Sequence, residues 1–242
     1  MVDPYIQGNG TLKNKLGITE YSELNNAEKD ITFTKFLNIE QTYKTKFDVE
    51  YLKSIHKHIF EDVFDWAGQF RTVPIYKQEI VIPGLSLEYA PVKEIEPRLK
   101  DILNRMNNTE WNKMNSLDEI SMQFTKYLAE IWAVHPFRDG NTRTTLTFAN
   151  QFAKEHGFPL NLGGLLDNLT RKYDSKGEVV QYSIRDKFVL AAIPEEYAPE
   201  PEHLNLLIHS AMVKGIEQSI ENLQKNLQSS SLQNNKDDEI EI

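Results

Sequence analysis

No cysteine occurs in the 242 residues, which excludes disulfides, thiolate metal sites and cysteine nucleophiles. No apolar run approaches the ~20 residues that span a bilayer. Met1-Val2-Asp3-Pro4-Tyr5 has neither the basic nor the apolar stretch of a secretion signal. The expectation is a cytoplasmic protein, with delivery as an effector by a specialised secretion route left open. Basic charge is short as well: 27 Lys and Arg against 36 Asp and Glu leave a net charge of −9. That balance argues against nucleic acid or an anionic membrane as partner, since a basic face supplies the affinity for both. Gly8-Asn9-Gly10 lacks the Gly-Lys-Ser/Thr that would make it a P-loop. There is no internal repeat.

What is present is a globular composition, 40% hydrophobic and 10% aromatic, at a length that suits one large domain with extensions. Helical periodicity dominates. Leu24, Ala27, Ile31 and Phe36 mark a helix over 22–38, and Asp48 caps another through about Val63 with Leu52, Ile55 and Ile59 on its inner face. A further helix starts at Pro91 or Lys93 and ends near Asn107-Asn108. Leu117, Ile120, Phe124, Leu128 and Ile131, then Leu146, Ala149 and Phe152-Ala153, predict two helices around a tight loop. Beyond Gly157 come a short helix near 161–167, a Gly/Ser/Lys loop at 174–177 and a helix over 178–193 that Pro194 ends. A long helix spans 202–228 with Leu206-Leu207, Met212-Val213, Ile216, Ile220 and Leu223 at its spacing, and the polar tail 229–242 is expected to be disordered. One stretch breaks the helical rule. Val73, Ile75, Ile80-Val81-Ile82 and Leu85, punctuated by Pro74 and Pro83-Gly84, read as a β-hairpin between Arg71 and Tyr89, with a surface loop as the alternative.

The tight loop is His135-Pro136-Phe137-Arg138-Asp139-Gly140-Asn141-Thr142-Arg143. His135 ends a helix and can accept a proton near neutral pH. Asp139 is a hard oxygen ligand of the kind Mg²⁺ takes alongside phosphates and water. Gly140, Asn141 and Thr142 offer backbone N–H groups at a helix N-terminus, where anions bind. The Asn141 amide and the Arg143 fork add charge-assisted donors, Pro136 stops the preceding helix, and Phe137 anchors the loop to the core. Base, carboxylate and arginine together describe phosphoryl or nucleotidyl transfer; an ordinary turn needs none of the three.

The same segment resembles the signature HxFx(D/E)GNGRxxR of the Fic domain family, with His135, Phe137, Asp139, Gly140, Asn141 and Arg143 on matching positions. Tyr5 to Gly17, His58-Ile59-Phe60, Asp65 to Thr72, Tyr89-Ala90-Pro91 and Ile95 to Leu99 resemble the family outside the motif, so the likeness runs over about residues 5–195. It implies an all-α Fic-fold helical bundle with a small β-hairpin flap over the active site. The corresponding division is an N-terminal segment 1–20, a domain 21–195 with its flap at about 71–90, a C-terminal helix 196–228 with a regulatory role in view, and the tail 229–242.

The resemblance also implies a Mg²⁺-dependent protein adenylyltransferase that moves AMP from ATP to Ser, Thr or Tyr hydroxyls. His135 would be the base, Asp139 the metal ligand, Gly140, Asn141, Thr142 and Arg143 the phosphate site, and Ile80, Val81 and Ile82 the strand that docks a target protein. Two alternatives stay open: phosphotransfer or use of another nucleotide, as in Doc-like relatives whose motif usually has Lys at the place of Arg143, and a degenerate scaffold that only binds nucleotide. An antitoxin or a self-inhibitory helix is the further partner that the family implies. Glu217 and Glu221-Asn222 loosely match its inhibitory motif (S/T)xxxE(G/N), which makes Glu221 the candidate inhibitory residue beside the plainer reading of a solvated helix face.

Two positions depart from the signature. Thr142 stands for the second glycine, which requires the anion site to be built with ordinary dihedrals. Leu146 stands for the distal arginine and removes the cation that would meet the terminal phosphate. If position 146 faces the nucleotide, Leu146→Arg is expected to tighten ATP binding about ten-fold; if it packs in the core, the change is destabilising. His56 and His58 point different ways from one helix and read as core or surface residues, and Trp66, Trp111 and Trp132 as core or hinge residues.

Overall fold

A computed structural model of the chain describes residues 3–37, 39, 46–77, 79–82, 84 and 87–237. Pro83, Leu85 and residues 238–242, named above, lie outside them, as does the side chain of Phe36. Among the described residues the helices are α1 (Tyr21–Leu37), α2 (Val49–Phe60), α3 (Ile95–Asn107), α4 (Leu117–Val134), α5 (Asn141–Glu155), α6 (Leu162–Leu166), α7 (Ile184–Ala192) and α8 (Glu202–Asp237). Side-chain caps start several of them. Asp48 accepts from the Tyr51 N–H at 3.0 Å, Ser116 accepts from Glu119, and Ser183 with Asp186 forms a reciprocal capping box.

The α4 helix is the axis of the fold, with α3, α5, α7 and α8 packed around it. Its apolar spacing explains why: Phe124, Leu128, Ile131 and Trp132 are wholly buried. Phe148 and Phe152 of α5, together with Phe47, Trp111 and Phe158, complete an aromatic cluster with edge contacts and one stacked pair, Phe148 on Phe152. The first half of α8 closes the bundle through Leu204, Ile208, Ala211 and Met212. A Cβ at Gly215 would come 2.1 Å from the Pro159 carbonyl oxygen, so only glycine lets α8 cross that close. No described helix is long and apolar enough to cross a membrane.

Three expectations need correction. Helix α8 does not stop near 228 but runs to Asp237, because nothing in the polar sequence there breaks a helix that is already nucleated. The 174–177 loop is the turn of a hairpin, β1 (Lys172–Tyr173) with β2 (Val179–Gln181), and α7 begins only at Ile184. Asp174 Oδ1 takes the N–H groups of Lys176 and Glu178 at 2.8 and 2.9 Å, and Gly177 supplies φ +84°; this turn chemistry outweighs helix propensity. The described residues of 71–90 carry no strand. Arg71, Val73 and Ile75 are buried and Thr72, Pro74 and Tyr76 exposed, which is a strand's alternation. The Val73 and Ala90 carbonyls, however, accept from the Arg71 guanidinium instead of from ladder N–H groups.

Candidate active site

Pro136 ends α4, and His135 turns the chain with φ 49° and ψ 59°, a left-handed conformation that costs a residue with a Cβ about 1–2 kcal/mol. The surroundings hold it there. The His135 N–H donates to the Trp132 carbonyl at 3.0 Å, and the Arg71 Nε–H and N–H donate to the His135 and Pro136 carbonyls, both at 2.8 Å. Arg71 is 1% exposed and spends the rest of its guanidinium on the carbonyls of Val73, Ala90 and Val134. Next, Gly140 turns with φ +76°, and a Cβ there would lie 2.3 Å from the Phe60 ring. Phe137 stacks on His56 at 3.8 Å and 13°. The His56 ring accepts the Gly68 N–H at Nδ1 (2.8 Å), which leaves its Nε2–H to donate to the Asp139 carbonyl at 3.1 Å. Burial, only partly opposed by Asp139, pushes the His56 pKa down to about 3, so the ring stays neutral.

The same logic fixes the His135 tautomer. Nδ1 faces the Trp132 carbonyl at 3.3 Å, and a carbonyl can only accept, so Nδ1 carries the hydrogen. Nε2 therefore presents a bare lone pair. It is buried and has no hydrogen-bond partner among the described residues. Tyr89 stacks on the imidazole at 3.8 Å and 17°, and Trp132 meets it edge-on at 5.1 Å. Burial first, then the charges of Lys77 and Arg185, hold the His135 pKa well below the ordinary histidine value. The result is a neutral base with a fixed direction of attack.

On the anion side, the first N–H groups of α5, those of Asn141, Thr142 and Arg143, have no partner within the helix. Burial raises the Asp139 carboxyl, but Lys77, Arg143, the Gly140 N–H at 2.8 Å and Arg138 outweigh it, so Asp139 is held below its ordinary value and stays ionised. Arg138 also ties the N-terminal segment to the loop through Asp3 at 2.8 Å. Arg143 lies over the Phe60 ring at 4.7 Å, bonds the Thr32 hydroxyl at 3.0 Å and forms an ion pair with Glu28 of α1.

His135, Asp139, Gly140, Asn141, Thr142 and Arg143 thus come together; the part expected of the Asn141 side chain changes, Thr142 gains one, and Leu146 lies apart from them in the core. The Asn141 amide is not a phosphate donor: its Oδ1 accepts the Phe137 N–H at 2.9 Å and its Nδ2 donates to the Phe137 carbonyl at 2.8 Å, so both ends are used in closing the loop. Thr142 keeps a negative φ and its hydroxyl accepts the Trp132 indole N–H at 2.9 Å, which turns the lost glycine into a tie between α4 and α5. Leu146 is 3% exposed and packs in the core, the second of the two outcomes set out for it. Three residues beyond Arg143 the helix has turned to a face about 60° away, and here that suffices to leave the site. Leu146→Arg should therefore bury an unpaired cation. The expected result is an unchanged ATP affinity and a melting temperature lower by roughly 6 °C or more, for a penalty of about 3 kcal/mol; calorimetry beside a thermal melt checks both.

Glu221 is exposed on α8, which packs on α4, α6 and α7, and the glutamate that pairs with Arg143 is Glu28. Of the flap residues, Ile80 is 73% exposed, Val81 half-buried and Ile82 buried. Sequence reasoning also missed Lys77, Glu79, Tyr89 as a stacking partner, and Arg185. The odd positions that bury Arg71, Val73 and Ile75 continue to Lys77 and Glu79, and that period-two parity was the available signal for the first two.

A sequence model of the Fic/DOC family matches residues 46–153. The chain is 29% identical over 182 residues to the protein adenylyltransferase VbhT of Bartonella schoenbuchensis, an alignment covering 74% of this chain and 36% of that protein. It is 30% identical over 156 residues to the probable protein adenylyltransferase y4lH of Sinorhizobium fredii, covering 64% of this chain and 76% of the relative. Its fold is that of the BepC protein of Bartonella tribocorum, crystallised with bound AMPPNP: TM-score 0.67, 20% identity, 86% of this chain and 95% of that one. The chain spans only about a third of the length of VbhT.

Proposed function

The chain belongs to the Fic/DOC family, and on that premise we propose that it transfers AMP from ATP to a Ser, Thr or Tyr hydroxyl of a target protein. The observation that carries this reading is the His135 Nε2 lone pair, buried and without a partner among the described residues, in the loop that leads from α4 into α5. Nε2 takes the hydroxyl proton as the hydroxyl oxygen bonds to the α-phosphorus of ATP. The bond from that phosphorus to the bridging oxygen breaks, and pyrophosphate leaves with the electron pair. The α5 N–H groups and Arg143 stabilise the charge that gathers on the non-bridging oxygens. Relatives named protein adenylyltransferases support the reaction class.

Asp139 fits a Mg²⁺ ion shared with phosphates: it is ionised, and among the described residues only its Oδ1 is engaged, by the Gly140 N–H. No group of three His, Asp or Glu among the described residues could hold a metal alone, so phosphate and water would complete the shell. When bound, the ion would neutralise the α- and β-phosphates and align them. Asp139→Asn should raise the Mg²⁺ concentration needed for half-maximal labelling, and an unchanged Mg²⁺ titration would place the ligand elsewhere. The exposed Ile80 and the backbone of Val81 and Ile82 form the surface on which a target segment would pair.

The decisive experiment incubates the protein with lysate and ATP radiolabelled on the α- or the γ-phosphate. Protein label from the α-position alone is expected. Label from the γ-position alone would make the chain a kinase, and nucleotide binding without label a scaffold.

A further inference from the structure

We propose that Arg185, acting through Glu79 and Tyr89, is the positioning residue that orients the His135 imidazole; this rests on His135 being the base. Arg185 stands at the start of α7 and grips Glu79 with both arms of its fork, Nη1 to Oε2 at 2.6 Å and Nη2 to Oε1 at 2.7 Å. Glu79 is 2% exposed, so this is a carboxylate carried into the interior and fully committed. Its Oε1 also accepts the Tyr89 hydroxyl at 3.1 Å. The Tyr89 ring in turn is the one stacked on His135. Four side chains from the flap, α7 and the motif loop therefore form one connected line that ends on the plane of the base.

Helix α7 reaches the base by a second route. Phe188, one turn after Arg185, stacks on Trp132 at 5.5 Å and 13°, and Trp132 supplies the edge contact to the imidazole. The imidazole is thus held on its face and at its edge from a single helix. An Arg–Glu pair with a buried carboxylate and a half-buried guanidinium adds little net stability compared with apolar side chains of equal volume. What it supplies is direction, since a bidentate fork allows only a narrow range of geometry. Glu79 also immediately precedes Ile80, so a target strand laid along the flap pulls on the same line that aims the base. The charged groups facing His135 are Lys77, Arg185 and Arg71, all cations, while Glu79 and Arg185 face Tyr89.

The test compares the full chain with Arg185→Ala, Arg185→Lys, Tyr89→Phe and His135→Ala. Two readouts are taken: the initial rate and KM for α-labelled ATP in lysate, and the titration of His135 followed by NMR of ¹⁵N-labelled histidine. In Arg185→Ala the maximal rate should fall about ten-fold to a hundred-fold with KM for ATP near the wild-type value, as expected of a misaimed base. His135 should titrate at higher pH in that variant, because a cation that disfavours its protonated form is gone. Arg185→Lys should restore the titration but only part of the rate, since an ammonium cannot span both carboxylate oxygens. Tyr89→Phe keeps the stacked ring and loses the tether; its rate should fall with an unchanged thermal melt. If Arg185→Ala fails to fold, the last two variants decide. Wild-type rates in Tyr89→Phe and Arg185→Lys beside an inactive His135→Ala would overturn the positioning line and leave the base in place. Full activity in His135→Ala would overturn the base and the line together.

Discussion

Replacing His135 by alanine should give a protein that folds and binds ATP within a few-fold of the parent yet labels no target. A general base contributes about 10²–10⁴-fold to rate and need not touch the ground state. Removal is structurally mild here, because Nε2 has no partner to orphan and the loop is held by backbone contacts to Arg71 and by the Asn141 side chain. The lost stacking on Tyr89 amounts to roughly 0.5–1.5 kcal/mol. The parent's pH profile carries the same signature. Burial, Lys77 and Arg185 depress the His135 pKa, and the active form is the neutral one, which predominates above that pKa. Activity should therefore persist below the pH of ordinary histidine titration, about 6.5, and decline only in stronger acid. Labelling by His135→Ala at the parent's rate would refute the mechanism, and so would an acid limb centred on the ordinary value.

Glu28→Ala should tighten ATP binding by about ten-fold or more. A hydrogen bond between charged groups contributes on the order of 1.5–3 kcal/mol, and in the parent Arg143 already directs one such contact at Glu28 and another bond at Thr32. A phosphate that needs the Arg143 fork has to displace Glu28 first. The carboxylate is 6% exposed, and its pKa is raised by burial, with Arg143 opposing and nearby Asp139 adding to the rise. It is thus a poorly solvated anion close to where ATP would place its own negative charge. The variant should melt at a lower temperature, because α1 loses its ion pair with α5 and keeps only the Thr32 bond, while its dissociation constant for ATP falls. A purely structural Glu28 would move both in the unfavourable direction. Titration calorimetry beside a melt separates the two, and equal or weaker ATP binding in an intact fold would remove Glu28 from any inhibitory role.

These two residues mark the limits of what the sequence carries. His135 sits inside a nine-residue cluster whose chemistry is contiguous, and the periodic apolar residues of α2, α4 and α5 suffice to place that cluster between helices. Glu28 meets Arg143 from 115 positions away, on a helix with little amphipathic pattern, and no local signal announces it. Asn141 shows a different limit: its type was legible, but whether its amide faces a ligand or the Phe137 peptide depends on a turn only three dimensions reveal. The flap is intermediate. Its alternation was readable, whereas the diversion of its carbonyls to Arg71 was not.

His56 gives the site an acid fuse. Its ring is locked neutral between Gly68 and Asp139, with a pKa of about 3, while in an unfolded chain it would protonate near pH 6.5. Above that value neither state takes the proton and its contribution to stability is whole. As the pH falls below it, the unfolded chain gains a proton that the folded one refuses, and stability drops by about 1.4 kcal/mol per unit. Between pH 6.5 and 3 the loss is on the order of 5 kcal/mol, comparable to the entire margin that keeps a domain folded. The ring that seats Phe137 and steadies Asp139 is therefore also the element through which strong acid, approaching pH 3, would dismantle the loop, and the His135 loop should lose its order before the outer helices do.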